Sequence, residues 1–196
     1  MRRLGRSFLM CAALTCGCAQ NQPSGMVDGP GKSPAEVRKL ETRNNAVSLL
    51  YDLTQDEKNV NKVLIIKSNT KELGDLIDAI ALTCGDSGKR LEQMAKDDPA
   101  LNLHALELPA GEKATRASIA RTKEHELLFS SGENFQFELL LTQTDALSYG
   151  WHLAKIAAGN STRLEEVKAF TEMSVAMENL YEQVVTMLKT EARKSP

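Results

Sequence analysis

The sequence has little excess charge of either sign. Its formal net charge is -2 over 196 residues, with 24 Lys and Arg against 26 Asp and Glu. Proteins that bind nucleic acid cluster Lys and Arg to displace counterions from phosphates, and no such cluster occurs here. We therefore expect no nucleic-acid partner.

Proline and aromatic residues are also scarce. Only Pro99 and Pro109 fall between Ala35 and Ser195, so long segments are free to form helices. Aromatic residues make up 5% of the chain. No alternation typical of strands competes with the helical spacing, and the chain is predicted to be all-α.

Local catalytic motifs are absent as well. The sequence contains no Gly-x-Ser-x-Gly, and no glycine-rich phosphate loop follows a strand. No Glu-x-x-His pair occurs, although carboxylate-bridged di-metal bundles use such pairs. We expect no enzymatic activity and no cofactor.

What is present begins with an export signal at residues 1–17. A cationic start, MRRLGR, precedes a short apolar run from Phe8 to Leu14, as in secretory signals. A transmembrane helix needs about 20 apolar residues, so cleavage is the better interpretation. A plain secretory signal or an uncleaved anchor are the alternatives.

The end of this segment, Leu14-Thr15-Cys16-Gly17-Cys18, resembles the lipobox of bacterial lipoproteins. The resemblance implies that Cys18 receives a lipid and anchors the protein in a membrane. Thr15 stands where that family usually has Leu, and Cys16 is a second, poorer candidate. Ala19, which is not Asp, implies the outer membrane, with the domain facing the periplasm.

Residues 18–33 are rich in Gly, Pro, Gln and Asn and are predicted to form a disordered tether after the lipidated cysteine. Residues 34–190 then form one domain, and residues 191–196 a frayed polar tail. Since Arg2, Arg3 and Arg6 leave with the signal, the mature charge becomes -2 minus 3, which is -5.

Helix boundaries follow from capping patterns. Ser33-Pro34-Ala35-Glu36 predicts a helix start, and Thr54 to Glu57 is a second such box, so this helix either continues or breaks near Thr54. The next helix begins near Asn69 or Thr70, and Asp97-Asp98-Pro99 ends it. Pro109 precedes a helix with apolar residues at Ile119, Leu127 and Leu128, and the last helix starts at Thr162 to Glu165.

The stretch from Glu126 to Ala157 holds three of the five Phe and the only Trp, and it is predicted to be the centre of the core. Ser130 to Glu133 is either a new helix start or an irregularity within one long helix. Beyond it, two adjoining apolar stripes are expected. The first comprises Phe135, Leu139, Ala146, Tyr149, Leu153 and Ile156, and the second Phe137, Leu140, Leu141, Leu147, Trp151 and Ala154.

Together these patterns predict an antiparallel four-helix bundle with additional helical segments. The C-terminal half, with Leu108-Pro109, Ser131-Gly132, Phe135 and Leu139 to Leu141, resembles the ferritin-like domain of an uncharacterised family of exported bacterial outer membrane proteins. That resemblance implies a ferritin-like bundle. Where the relatives often carry histidines, this chain has Cys84 and Leu147, so a metal role does not follow.

The candidate site residues are few. Glu138, Asp145 and His152 recur every seven residues on one helix face, which is about 10.5 Å apart, and a solvated polar face is the simpler interpretation. His104 and His125 are expected at the surface. Cys84 is predicted to be a free, buried thiol, with pairing to another chain as the alternative.

The leading hypothesis is a non-enzymatic interaction or structural module of the cell envelope, bound to the membrane through its N-terminal lipid. An envelope protein is a further partner it could take. A ferritin-like metal or redox protein of the periplasm is the alternative, and a sensory bundle that binds a small ligand between helices is a third.

Overall fold

The computed structural model describes residues 32–67, 69–105 and 108–194, with the side chain of Lys194 excepted. These residues belong to one compact unit that begins at Lys32. The predictions for the signal, for Cys16 and Cys18, for the tether up to Gly31 and for the last two residues lie outside the described part.

The described chain is helical, and no strand occurs within these ranges. Five α-helices pack together, and one 3₁₀ segment, Val60–Ile66, lies between the first and the second of them. The α-helices are α1 (Pro34–Glu57), α2 (Lys71–Asp97), α3 (Ala110–Phe129), α4 (Gly132–Asn160) and α5 (Leu164–Lys194).

The capping box at the start of α1 is confirmed. The Ser33 amide donates to Glu36 Oε2 at 2.7 Å, and the Glu36 amide donates to Ser33 Oγ at 3.3 Å. The second box does not form, because Thr54 lies inside α1 and its hydroxyl donates to the carbonyl of Tyr51 at 2.8 Å. The helix therefore continues to Glu57 before the chain turns into the 3₁₀ segment.

The α2 boundaries agree with the prediction. The Thr70 hydroxyl accepts from the Leu73 amide at 3.3 Å, and the helix ends at Asp97, ahead of Pro99. Gly85 and Gly88 do not interrupt it. At Gly88 a methyl group would come within 2.9 Å of Gln55 Nε2, so the glycine lets α1 and α2 approach closely.

A break separates α3 from α4. Gly132 adopts φ +58, a left-handed conformation that glycine accepts without a Cβ clash. The Ser131 side chain makes no capping hydrogen bond. Ser130 to Glu133 is thus a new helix start, the first of the two predicted alternatives, and it forms without a side-chain cap.

Four of the helices surround the core. α4 packs on α5 and α1, and α2 packs on α1 and α5, whereas α3 packs mainly on α4. Gly150 lets α4 approach α1 and α5 closely, because a methyl group at this position would lie 2.8 Å from side-chain atoms of Leu53 and Met177. Fully enclosed side chains include Leu50, Leu73, Ile77, Ile80, Phe135, Leu139, Phe170 and Met177.

The central stretch is only partly what the sequence predicts. Its α4 portion lies in the core, but Phe129 at the end of α3 is 77% exposed. The two predicted stripes are wrong in detail. A single buried face contains residues of both stripes, and Phe137 and Ile156 are partly exposed. That face comprises Phe135, Leu139, Leu140, Gln143, Leu147, Gly150, Leu153, Ala154 and Ala157.

A buried ion cluster joins the helices at one end of the core. Arg43 of α1 donates to Glu166 Oε2 of α5 at 3.0 Å and to the carbonyl of Ala100 at 2.8 Å. Asp98 lies 3.6 Å from both Arg43 and Arg163. Burial alone would raise the pKa of Asp98, but the Ala100 amide, Glu166 and the two guanidinium groups together hold that pKa below its ordinary value.

No helix in the described ranges combines the length and the hydropathy needed to cross a bilayer.

Candidate functional site

A groove of about 920 Å³ opens between α3 and the surface formed by the end of α1, the 3₁₀ segment and α4. Its apolar lining comes from three elements. α3 contributes Ile119, Ala120, Leu127 and Leu128, the 3₁₀ segment contributes Val60, Val63 and Ile66, and α4 contributes Leu139 and Ala146.

The groove exists because α3 is not packed closely against the core. None of its residues is buried, and Ile119 and Leu128 remain 55% and 45% exposed. An apolar helix face that is exposed in this way can bind an apolar ligand or partner. α3, which forms one wall of the groove, is therefore loosely packed.

Two cation contacts hold α3 in place, one towards each end. Lys67 Nζ donates to the carbonyls of Leu128 and Ser130, at 2.7 Å each, and lies 5.5 Å from the centre of the Phe135 ring. Arg116 donates to the Tyr149 hydroxyl at 3.2 Å and lies over that ring at 5.5 Å. These polar contacts add to the packing of Leu127 of α3 against the core.

Glu57 and Gln143 form the polar floor. Glu57 is the last residue of α1, and Gln143 lies in the middle of the buried face of α4. Gln143 is 1% exposed, yet its Oε1 atom has no hydrogen-bond partner within the described chain, and neither does Glu57 Oε2. Buried oxygens without a partner are costly, so the floor has an unfilled capacity to accept hydrogen bonds.

Burial raises the pKa of Glu57 to about 7, which the hydrogen bond from Gln143 only partly offsets, and Asp56 adds to the rise. Burial also raises the pKa of the Cys84 thiol to about 12, with a smaller contribution from the Glu57 carboxylate. Glu57 can therefore change its charge near neutral pH, while Cys84 stays a thiol.

The rim carries charges of both signs. Asp56, Glu124 and Asp145 line it together with Lys62, Arg116 and Lys123. Arg116 is also paired with Glu112 at 2.6 Å, and Lys123 with Glu126 at 3.4 Å. The groove is thus apolar on its walls, acidic at its floor and mixed at its mouth.

The three residues of the predicted polar face all lie on α4, but their surroundings differ. Asp145 lies on the groove rim. Glu138 is half-buried, and its Oε2 atom lacks a partner. His152 is exposed, stacks on Trp151 and contacts the carbonyl of Ser148 at 2.7 Å. In the described ranges no group of three or more His, Cys, Asp or Glu side chains could hold a metal ion.

The remaining predicted residues lie apart from the groove floor or beneath it. His104 is exposed and contacts the Tyr51 ring edge-on. His125 is also exposed and contacts the Phe129 ring at a tilt. Cys84 is a free, buried thiol in α2. It belongs to the core and does not line the groove.

Sequence reasoning missed Glu57 and Gln143. Gln143 stands four residues after Leu139 and four before Leu147, so helical spacing alone places it on the buried face. That spacing was the available signal. Glu57 had none, because it is buried beside Gln143 of α4, a residue distant in sequence.

These features define the class of protein as an all-helical domain with an amphipathic groove beside its core. The chain matches no protein-family model, and searches among curated proteins and among solved structures found no match.

Proposed function

We propose that this protein is a membrane-tethered, non-enzymatic binding module of the bacterial cell envelope. Cys18 carries the lipid, the domain faces the periplasm, and the outer membrane is the favoured site. The groove under α3 is the binding surface. An envelope partner or ligand would reach it from the open side.

The observation that carries the binding role is the pairing of apolar walls with unpartnered acceptors at Glu57 and Gln143. Ligand sites are typically concave, mostly apolar and supplied with a few placed polar groups.

The arrangement of the domain is proposed to be an antiparallel four-helix bundle of α1, α2, α4 and α5, with α3 and the 3₁₀ segment as additions. The order of helix contacts supports this arrangement. Its ferritin-like character, and the metal-binding alternative that goes with it, rest on the family resemblance alone.

Fractionation of cells fed a labelled fatty acid tests the anchor. We expect label on the wild-type protein, and neither label nor membrane retention for Cys18→Ala. The matched control is Cys16→Ala, which should keep both. A Cys18→Ala protein that stays equally membrane-bound would refute the tether.

Site-specific photo-crosslinking in intact cells tests the groove. A photoreactive residue at Ile119 lies in the groove wall, whereas one at Val175 of α5 is exposed elsewhere. We expect an adduct, detected by its mass, at position 119 only. Identical adducts at both positions, or none at 119, would refute the groove as the binding surface.

A further inference from the structure

We propose that the groove binds an amphipathic amine, with its ammonium group seated between Glu57 and Gln143 and its apolar body along the α3 wall. This inference rests on the proposed binding role and names the class of ligand.

The floor calls for a hydrogen-bond donor. Both unpartnered buried atoms among the groove-lining residues, Glu57 Oε2 and Gln143 Oε1, are oxygens. An ammonium group carries three donor hydrogens, so one group can satisfy both oxygens. A ligand with only acceptors, such as a carboxylate, would leave them unsatisfied and add a like charge.

The charge of the ligand follows from the surroundings of Glu57. Within the described chain Glu57 forms no ion pair, and its nearest acidic neighbour, Asp56, repels its negative charge. A buried carboxylate without a cation is unfavourable. A cationic ligand supplies the missing partner, which a neutral alcohol cannot do.

The body of the ligand follows from the walls. A volume of about 920 Å³ is near the upper end of the 300–1,000 Å³ typical of small-molecule sites. Ile119, Leu127 and Val63 offer apolar contacts along it. Since both floor oxygens are shielded from solvent in the described conformation, the ligand must displace covering side chains, and the loosely packed α3 is the element that can yield.

Titration of 4-phenylbutylamine into the full chain, with 4-phenylbutanol and 4-phenylbutyrate as matched probes, tests the inference. The protein is kept in neutral detergent, and an empty-micelle titration is the blank. At pH 8 we expect the amine to bind at least tenfold more tightly than either other probe. Equal binding of the three probes would overturn the proposal.

Substitutions locate the two parts of the site. Glu57→Gln should weaken amine binding at least tenfold and leave alcohol binding within about twofold, whereas Glu41→Gln, the same change at an exposed carboxyl of α1 outside the groove lining, should have a small effect. Ala120→Trp fills the groove and should abolish binding, while Ala117→Trp, on the same helix but outside the lining, should not. Unchanged binding in Glu57→Gln or in Ala120→Trp would contradict the assignment.

The pH profile distinguishes this role from mere packing. Because burial raises the pKa of Glu57 to about 7, the ionised fraction rises about tenfold between pH 6 and pH 8, and amine affinity should rise about tenfold with it. Glu57→Gln should flatten this rise. The other titratable groups that interact with Glu57 are Asp56 and Cys84. The charged groups that line the rest of the groove are Lys62, Arg116, Lys123, Glu124 and Asp145.

The two proposals fail in different ways. A protein that gives an adduct at Ile119 in cells but prefers no amine retains its binding role and loses this ligand class. Loss of membrane retention in the wild-type protein bears on the anchor alone, whereas a missing groove adduct removes the binding role on which this ligand class rests.

Discussion

At the residue scale, Arg43 shows how a charge can be essential inside the core without serving a site. Its side chain is 2% exposed and lies 3.0 Å from Glu166 and 3.6 Å from Asp98. A buried ion pair is often no more stabilising than apolar packing, but removing one member leaves the other charged and unpaired. Arg43 therefore matters mainly through the acidic groups it neutralises.

Replacing Arg43 with Met keeps much of the volume and removes the charge. We expect Arg43→Met to lower the free energy of unfolding by about 3–5 kcal/mol, the usual cost of breaking a buried pair, measured by urea denaturation. The control is Arg90→Met. Arg90 pairs with Glu172 at the surface, with exposures of 43% and 47%, so its loss should cost about 1 kcal/mol or less. Equal losses in the two variants would contradict the role given to Arg43.

Glu57 makes stability depend on pH with a defined sign. Its pKa is about 7 in the folded protein, against 4.5 as the ordinary value. Between these values the folded state binds more protons than the unfolded chain, so the free energy of unfolding falls as pH rises. The loss begins above about pH 4.5 and is complete above about pH 7.

Comparison of wild type with Glu57→Gln isolates this effect, since other titrating groups cancel in the difference. From pH 5 to pH 8 we expect wild type to lose roughly 1 to 3 kcal/mol relative to the variant, measured by urea denaturation at each pH. Glu41→Gln, an exposed carboxyl on the same helix, should follow wild type. A pH-independent difference between wild type and Glu57→Gln would refute the raised pKa.

At the scale of the element, α3 differs from its neighbours in what holds it. Apolar packing fixes α2, whose buried face runs from Leu73 to Leu91, whereas α3 has no buried residue. Segments with few buried contacts open at lower free energy than the whole domain. α3 should therefore open without global unfolding, and its polar attachments should set how often it does.

Lys67→Met removes one attachment of α3, the two hydrogen bonds to the carbonyls of Leu128 and Ser130. We expect amide hydrogen exchange in the second half of α3 to accelerate about tenfold, the equivalent of roughly 1.4 kcal/mol. Exchange in α5 should stay unchanged. Lys89→Met, which breaks the exposed contact to Asp86 at 3.1 Å, is the control and should leave α3 exchange unaltered. If α3 exchanges at the wild-type rate in Lys67→Met, the attachment is not what holds it.

At the scale of the whole molecule, local signals predicted most of the helices. Capping at Ser33 and Thr70 is chemistry between neighbours in sequence, and so is the helix stop at Asp97-Asp98-Pro99. Both signals are visible in the sequence alone, and the structure confirms both.

The groove could not be predicted from the sequence, and the reason is physical. Ile119, Leu127 and Leu128 have the spacing of a core face, and a sequence shows that such a face needs cover without showing what covers it. Likewise, Glu57 becomes part of a floor only because Gln143 of α4 lies beside it. These are contacts between residues distant in sequence, and no local pattern records them.

Cys84 reports on the cooperativity of the domain as a whole. It is 1% exposed within the core cluster formed by α1, α2, α4 and α5, and burial raises its thiol pKa to about 12. Since the thiolate is the reactive form, alkylation requires exposure by unfolding. Opening of α3 alone should not expose it.

We therefore expect alkylation of Cys84 by iodoacetamide, followed by mass spectrometry of its peptide, to occur at the rate allowed by global unfolding. That rate should rise with urea as steeply as the unfolding equilibrium does. A cysteine placed at Ser118, exposed on α3, should react at once and show little dependence on urea. Lys67→Met should leave the Cys84 rate unchanged while it accelerates exchange in α3. Rapid alkylation of Cys84 in native buffer would mean instead that the core opens together with α3, and that the wall of the groove is not an independent element.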